Sequence, residues 1–266
     1  MTAFDRAIPL LLLACLDATG CAAATAPPSA PVAALLPARL RRLSNVEYER
    51  TANSLTRLNE SFRDELPPDE RQDGYTVNER QTVTSYYAAA LERLAERLAG
   101  LAVTRNLDAL LPCPASMPPS SRCVGEALDA LGETAFRRPL TAEERNGVRS
   151  LYERGASLPA TGDAPRDPRA RGVALVLSTV LRSPSLLYLS ELGDARLVES
   201  ADEHAGDKAT VATLNSYEVA SALSYTVTGA PPDAELFAAA AVPNLLLRPD
   251  VREAEARRLL SRSSTR

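Results

Sequence analysis

Three short stretches, Ser44-Asn45-Val46-Glu47, Thr141-Ala142-Glu143-Glu144 and Asn215-Ser216-Tyr217-Glu218, each place a Ser, Thr or Asn ahead of a Glu at the same spacing. This is the capping box: the first side chain accepts from an amide in the first helical turn and the Glu accepts from the cap amide, so each box marks a helix start. Leu43 with Tyr48, and Leu214 with Val219, are spaced as hydrophobic staples. Apolar residues then recur at helical period: Tyr48, Ala52 and Leu55 behind the first box, and Val148, Leu151 and Tyr152 behind the second, with a stop at Gly155. Val219, Leu223 and Val227 follow the third, which Gly229 ends. The same period predicts helices over 78–98, 124–136, 173–181 (ended by Ser183-Pro184), 233–241 and 249–262. No stretch alternates as a half-buried strand does, and no repeat of solenoid length is present. The expected fold is all-α, a multi-helix bundle-like body with Pro-rich loops.

Ahead of this body, residues 7–16 form an apolar run behind Arg6, and Asp17-Ala18-Thr19-Gly20 lead into Cys21. About ten apolar residues suit a signal segment and fall short of the roughly twenty that span a bilayer. Small residues before a Cys are what lipoprotein processing admits, so Cys21 is the expected lipidation site, with Cys15 after Leu13-Ala14 as the alternative. A soluble protein with a frayed N-terminus is the competing reading. Pro27, Pro28, Pro31 and Pro37 among Ala, Ser and Thr make residues 22–38 an extended tether. The expected division is a signal peptide at 1–21, the tether at 22–38, an N-terminal helical module at 39–112 and a central one at 113–193. An acidic linker at 194–212 and the start of a C-terminal helical module at 213–266 complete it. The expected place is the cell envelope, lipid-anchored on the extracytoplasmic side of the outer membrane, with the bilayer as partner.

Thirty basic against thirty-four acidic residues give a net charge of −4, so no positive excess is available to displace counterions from phosphates, which argues against nucleic acid as a partner. One His and four Cys, without a C-x-x-C-H run, leave little for metal or haem chemistry. Asp64, Glu65, Asp69, Glu70 and Asp73 crowd one loop, yet as a calcium loop the frame from Asp69 fails at Arg71 and Arg80, and a solvated loop is expected. Arg137 and Arg138 carry forked donors that could clamp an anion, but a buried structural salt bridge, to Glu144 or Glu47, is the expected role, with the anion site as the alternative. His204, beside Asp202, Glu203 and Asp207, sits in the linker without a packed shell to orient it. There is no nucleophile elbow, P-loop or dinucleotide fingerprint. No catalytic residue, metal or cofactor is assigned.

Once the signal region is set aside, Cys113 and Cys123 are the remaining cysteines. Pro114, Pro118 and Pro119 keep the segment between them out of helix, so it can fold back, and an oxidising compartment would close a disulfide worth roughly 3 kcal/mol. Two free thiols are the alternative.

The order of motifs resembles a family of secreted proteins abundant in planctomycetes and myxobacteria, built from consecutive domains of unknown function (families 1587, 1595 and the start of 1592) and often found beside cytochrome c modules. The blocks are Arg42-Leu43-Ser44-Asn45-Val46-Glu47-Tyr48 with Thr51, then Leu66-Pro67-Pro68-Asp69 with Gly74-Tyr75, then Phe136-Arg137-Arg138-Pro139-Leu140-Thr141 with Glu144. Leu181-Arg182-Ser183-Pro184-Ser185-Leu186-Leu187-Tyr188 with Glu191, and residues 214–233, complete the order. The resemblance implies a family and no reaction, because these domains have no agreed catalytic residues. Family members usually continue past the last block, so a truncated member is expected, with Val251, Leu259 and Leu260 of the last helix left uncovered. The expected function is a non-catalytic envelope lipoprotein that binds envelope proteins or surface polysaccharide, or scaffolds further domains. An extracytoplasmic enzyme or oxidoreductase accessory acting on polymers is the alternative.

Overall fold

The computed structural model describes residues 39–162, 164–198 and 211–263, so Cys15, Cys21, the tether and His204 lie outside the described residues. A strand, β1 (Arg39–Arg42), leads into α1 (Asn45–Thr56), whose capping box between Ser44 and Glu47 is complete. α1 ends on Arg57 in the left-handed region, with φ 55°. A loop then runs to α2 (Ser85–Leu110), capped by Thr84. This helix starts later than its apolar spacing implied, because Asn78 and Gln81 spend their side-chain amides on the Glu70 carbonyl, at 2.9 and 2.7 Å, and so belong to the loop. It also runs further, since no Pro interrupts it before Pro112. Its kink at Asn106 (φ −132°, ψ 20°) has a visible cause: the Asn106 amide donates to the Arg57 and Thr56 carbonyls, at 2.8 and 3.3 Å, and caps the carbonyl end of α1.

The Cys113–Cys123 disulfide, with Cα atoms 6.0 Å apart, ties the following loop to the first turn of α3 (Arg122–Phe136). The Thr141 box opens α4 (Ala142–Ser157), and Asp167 caps α5 (Pro168–Val180). Gly155, read from the sequence as the stop of α4, lies inside that helix, and its role is close approach. A Cβ there would sit 2.7 Å from the Arg171 carbonyl oxygen, and one on Gly172 would sit 2.6 Å from the Tyr152 ring. Pro184 is the first residue of a short α6 (Pro184–Leu187), capped by Ser183, so Ser183-Pro184 starts a helix as well as following one.

β2 (Tyr188–Glu191) returns antiparallel onto β1, with Arg39 opposite Glu191 and Arg42 opposite Tyr188. β3 (Asp194–Val198) and β4 (Val211–Thr213) form a second antiparallel ribbon at the two ends of the stretch expected as an acidic linker. Strands this short carry too few alternations to show in a periodicity reading. Asn215 then opens α7 (Ser216–Thr228), closed by Gly229 at φ 62°; Asp233 caps α8 (Ala234–Ala241), and α9 (Pro249–Ser263) follows.

The described architecture is thus all-α, a helical body with two small ribbons, and among the described residues no helix is long and apolar enough to cross a membrane. One core runs continuously from Leu43 to Leu189 through Tyr48, Leu94, Leu98, Tyr152, Leu177 and Leu181, so segments 39–112 and 113–193 share an interior. A second, smaller cluster joins Ala220, Leu236, Ala240, Leu246 and Leu259, with Val251 packed against it. Val251 and Leu259, which the sequence left without cover, are therefore packed, and Leu260 is exposed.

The glycine contacts give a paired test in urea unfolding. Gly172→Ala drives a methyl into Tyr152 and lowers stability by about 2 kcal/mol. Gly147→Ala, on α4 and meeting nothing within 4 Å, raises it by about 0.5–1 kcal/mol through helix propensity.

Candidate functional site

Arg41 and Arg42 close β1 and turn inward, both buried. Arg41 forks onto Glu47, Nη1 to Oε2 at 2.7 Å and Nη2 to Oε1 at 3.0 Å, while Glu47 Oε2 also accepts the Ser44 amide at 2.8 Å. One carboxylate therefore caps α1 and neutralises a buried cation. Arg42 Nη2 donates to Asp69 at 2.9 Å and to Gln81 at 2.8 Å, and its guanidinium carbon lies 4.2 Å from the centre of the Tyr87 ring. Asp69 takes the Asn45 amide with its other oxygen at 2.7 Å. Burial pushes the Asp69 carboxyl up against the pull of that amide and of Arg42, and burial pushes the Tyr87 hydroxyl up to about 12.

The acidic loop is accordingly split. Asp64, Glu65, Glu70 and Asp73 are exposed, as a solvated loop implies, and Glu65 meets Arg97 at 2.5 Å. Asp69, by contrast, is sealed under the loop with Arg42, its side chain 7% exposed. Among the described residues no three His, Cys, Asp or Glu side chains converge as metal ligands would.

Arg137 and Arg138 part company. Arg137 holds the left-handed position that ends α3, and its guanidinium is buried against main chain. Nη2 donates to the Ser185 and Tyr188 carbonyls, both at 2.8 Å, and Nη1 to those of Leu186 and Ala135 at 3.1 and 3.3 Å. Of the two glutamates weighed for the arginine pair from the sequence, Glu144 is met, by Arg138, while Glu47 is held by Arg41 and Arg137 meets neither. The Tyr225 ring of α7 lies over the Arg137 guanidinium, 5.8 Å to the ring centre, and the Tyr225 hydroxyl pairs with Thr51 of α1 at 2.7 Å. Arg138 instead forks onto Glu144, both contacts at 2.8 Å, and the Thr141 amide adds a third at 2.9 Å. Those donors, Arg138 first, hold the Glu144 carboxyl down to about 2.

Two cavities border these contacts. One, of 390 Å³, lies beside Arg137 and Arg138 and is lined among others by Phe136, Ser185, Tyr217 and Ser221. The other, of 440 Å³, lies between the loop after α1, the β1–β2 ribbon and α7, with Arg39, Gln72, Asp73, Tyr75, Glu79 and Glu191 on its walls. Reading the sequence singled out neither Arg39 nor Arg41 as a site residue. The signal available was their two-residue spacing, which puts them on one face of a strand.

The buried clasp of Arg42 with Asp69 and Gln81 and the Arg138–Glu144 pair give two tests. Asp69→Ala leaves the Arg42 charge buried without its anion and lowers the unfolding free energy by about 3–5 kcal/mol, whereas Arg42→Met combined with Asp69→Leu loses less than the single change. For Glu144 the folded pKa is depressed, so its contribution is complete above its ordinary titration range and is lost as pH falls from about 5 towards 2. Glu144→Gln should cost about 1 kcal/mol at pH 7, discounted for partial exposure of the pair, and thermal melts of variant and parent should converge over that acid window.

Three family profiles match the chain in consecutive order: protein of unknown function DUF1587 at residues 41–104, protein of unknown function DUF1595 at 123–191, and protein of unknown function DUF1592 at 214–266. No curated protein and no solved structure matches it. The arginines of the site and their partners fall inside these spans: Arg41, Arg42 and Asp69 in the first, Arg137, Arg138 and Glu144 in the second, Tyr225 in the third. The chain thus carries, one after another, the three domains of unknown function of the series that its motif order resembles.

Proposed function

We propose that this protein is a cell-envelope lipoprotein, anchored through Cys21 on the extracytoplasmic side of the outer membrane, whose helical body is a non-catalytic binding or scaffolding module. The observation that carries the second half is where the motif side chains are spent. Arg42, Glu47, Asp69, Arg137, Arg138 and Glu144 are each engaged by carboxylates, amides or carbonyls of neighbouring elements, and Tyr48 donates its hydroxyl to the Leu181 carbonyl at 3.1 Å. Groups held this way join elements and leave loops and cavities between them to meet a partner. The run before Cys21 and the Pro-rich segment behind it support the anchor and a reach away from the lipid.

Expression of the full chain with labelled palmitate tests the anchor. Label and detergent-phase partition should be present in the parent and in Cys15→Ala and absent in Cys21→Ala. An unlabelled parent in the aqueous phase overturns the anchor, and label lost instead in Cys15→Ala moves it to Cys15.

A further inference from the structure

We infer that the 440 Å³ cleft between the loop after α1, the β1–β2 ribbon and α7 binds a neutral hexose-containing saccharide, with Tyr75 as the stacking platform. This rests on the reading of the body as a binding module and names its ligand.

The platform is built in advance. Asp73 and Gly74 both have positive φ, 51° and 88°, and Gln72 and Tyr75 exchange amide-to-carbonyl bonds of 3.0 and 2.9 Å across them, the geometry of a type I′ turn. Behind the turn the Asn78 amide donates to the Tyr75 carbonyl and the Gln81 amide to that of Thr76, each at 2.9 Å. Gln81 is itself held by Arg42, so the turn is braced against the buried clasp. A loop fixed before its ligand arrives loses little further freedom on binding.

On this braced turn Tyr75 is 73% exposed. Among the described residues it is the only large apolar or aromatic side chain of the motif blocks left exposed; the others are buried or half-buried. Its ring supplies a flat apolar face beside a polar cleft, the combination that suits a pyranose, whose C–H face stacks and whose hydroxyls point outward.

The charges of the cleft select the ligand class. Arg39 pairs with Glu191 and, at 3.5 Å, with Glu79, and Arg41 is held by Glu47, so both cations are already matched and little positive field remains for a phosphate or uronate. The wall is mixed: Arg39 and Gln72 carry donors, and Asp73, Glu79 and Glu191 carry acceptors. Hydroxyls both donate and accept, so a polyhydroxylated ring can use both sets. The volume lies within the roughly 300–1,000 Å³ of small-ligand sites.

The test is calorimetric titration of the full chain with maltotriose, cellotriose and mannotriose, and with trigalacturonate as the anionic counterpart. At least one neutral trisaccharide should bind, Tyr75→Ala should weaken it by about tenfold, and Tyr75→Phe should retain it. Because Tyr75 is a surface side chain, circular dichroism and melting temperature of both variants should match the parent. Absence of neutral binding at millimolar concentration, undiminished binding by Tyr75→Ala, or preference for trigalacturonate overturns the proposal. The palmitate experiment reads the anchor separately, so either can fail without the other.

Discussion

A helix start leaves amides without partners, and at four helix starts of this protein the carboxylate that answers them also answers a second group from another element. Glu47 caps α1 and holds Arg41 of β1. Glu144 caps α4 and holds Arg138, which follows the end of α3. Glu218 caps α7 and accepts the Leu192 and Gly193 amides after β2. Asp233 caps α8 and takes both terminal nitrogens of Arg258 on α9, at 2.7 and 3.0 Å. Each such carboxylate therefore fixes where a helix begins and what that beginning leans on. The rest of the packing is arranged around these doubly used oxygens.

The buried cations follow from the same economy of partners. A guanidinium out of water is costly unless its donors are met. Arg41 forks onto the Glu47 carboxylate, whereas Arg42 meets Asp69 and Gln81 through Nη2 alone, its Nε and Nη1 buried without a hydrogen-bond partner beside the Tyr87 ring. Arg137 meets four carbonyls at the end of α3 and around α6, where the carbonyl ends of helices carry partial negative charge. That difference explains why the Arg-Arg pair divides: the backbone turn at Arg137 aims its side chain into the core, whereas Arg138 stays half-exposed beside Glu144.

The capping boxes made the starts of α1, α4 and α7 readable, because both members of each box are local. Their second partners were readable in part: Arg41 and Arg138, each six residues from its glutamate, were within reach of a local reading, whereas Leu192 is brought to Glu218 across 26 residues by tertiary structure. The cysteine pair was readable for the same reason, one Pro-rich loop joining both sulfurs. Gly155 misled because a glycine near a helix end reads as a stop, and only the neighbouring α5 backbone shows that it is a contact. α2 was displaced because Asn78 and Gln81 fit a helical pattern yet satisfy loop carbonyls. At the proposed cleft, Asp73-Gly74 carries a local turn signal, but the exposure of Tyr75 was not legible, since an aromatic in a sequence looks the same whether it packs or faces water.

α7 belongs to both hydrophobic clusters. Tyr225 is counted in the large core, while Ala220 lies in the small one, with Leu223 and Val227 packed against it. That small cluster has five buried members among the described residues, two of them alanine, which is too little apolar interior for independent stability. Its folding is therefore coupled to the large core through α7: α8 and α9 cannot loosen without tugging at a helix whose opposite side is keyed into Thr51 and Arg137. The C-terminal segment is better regarded as an extension of the main cooperative unit than as a second one.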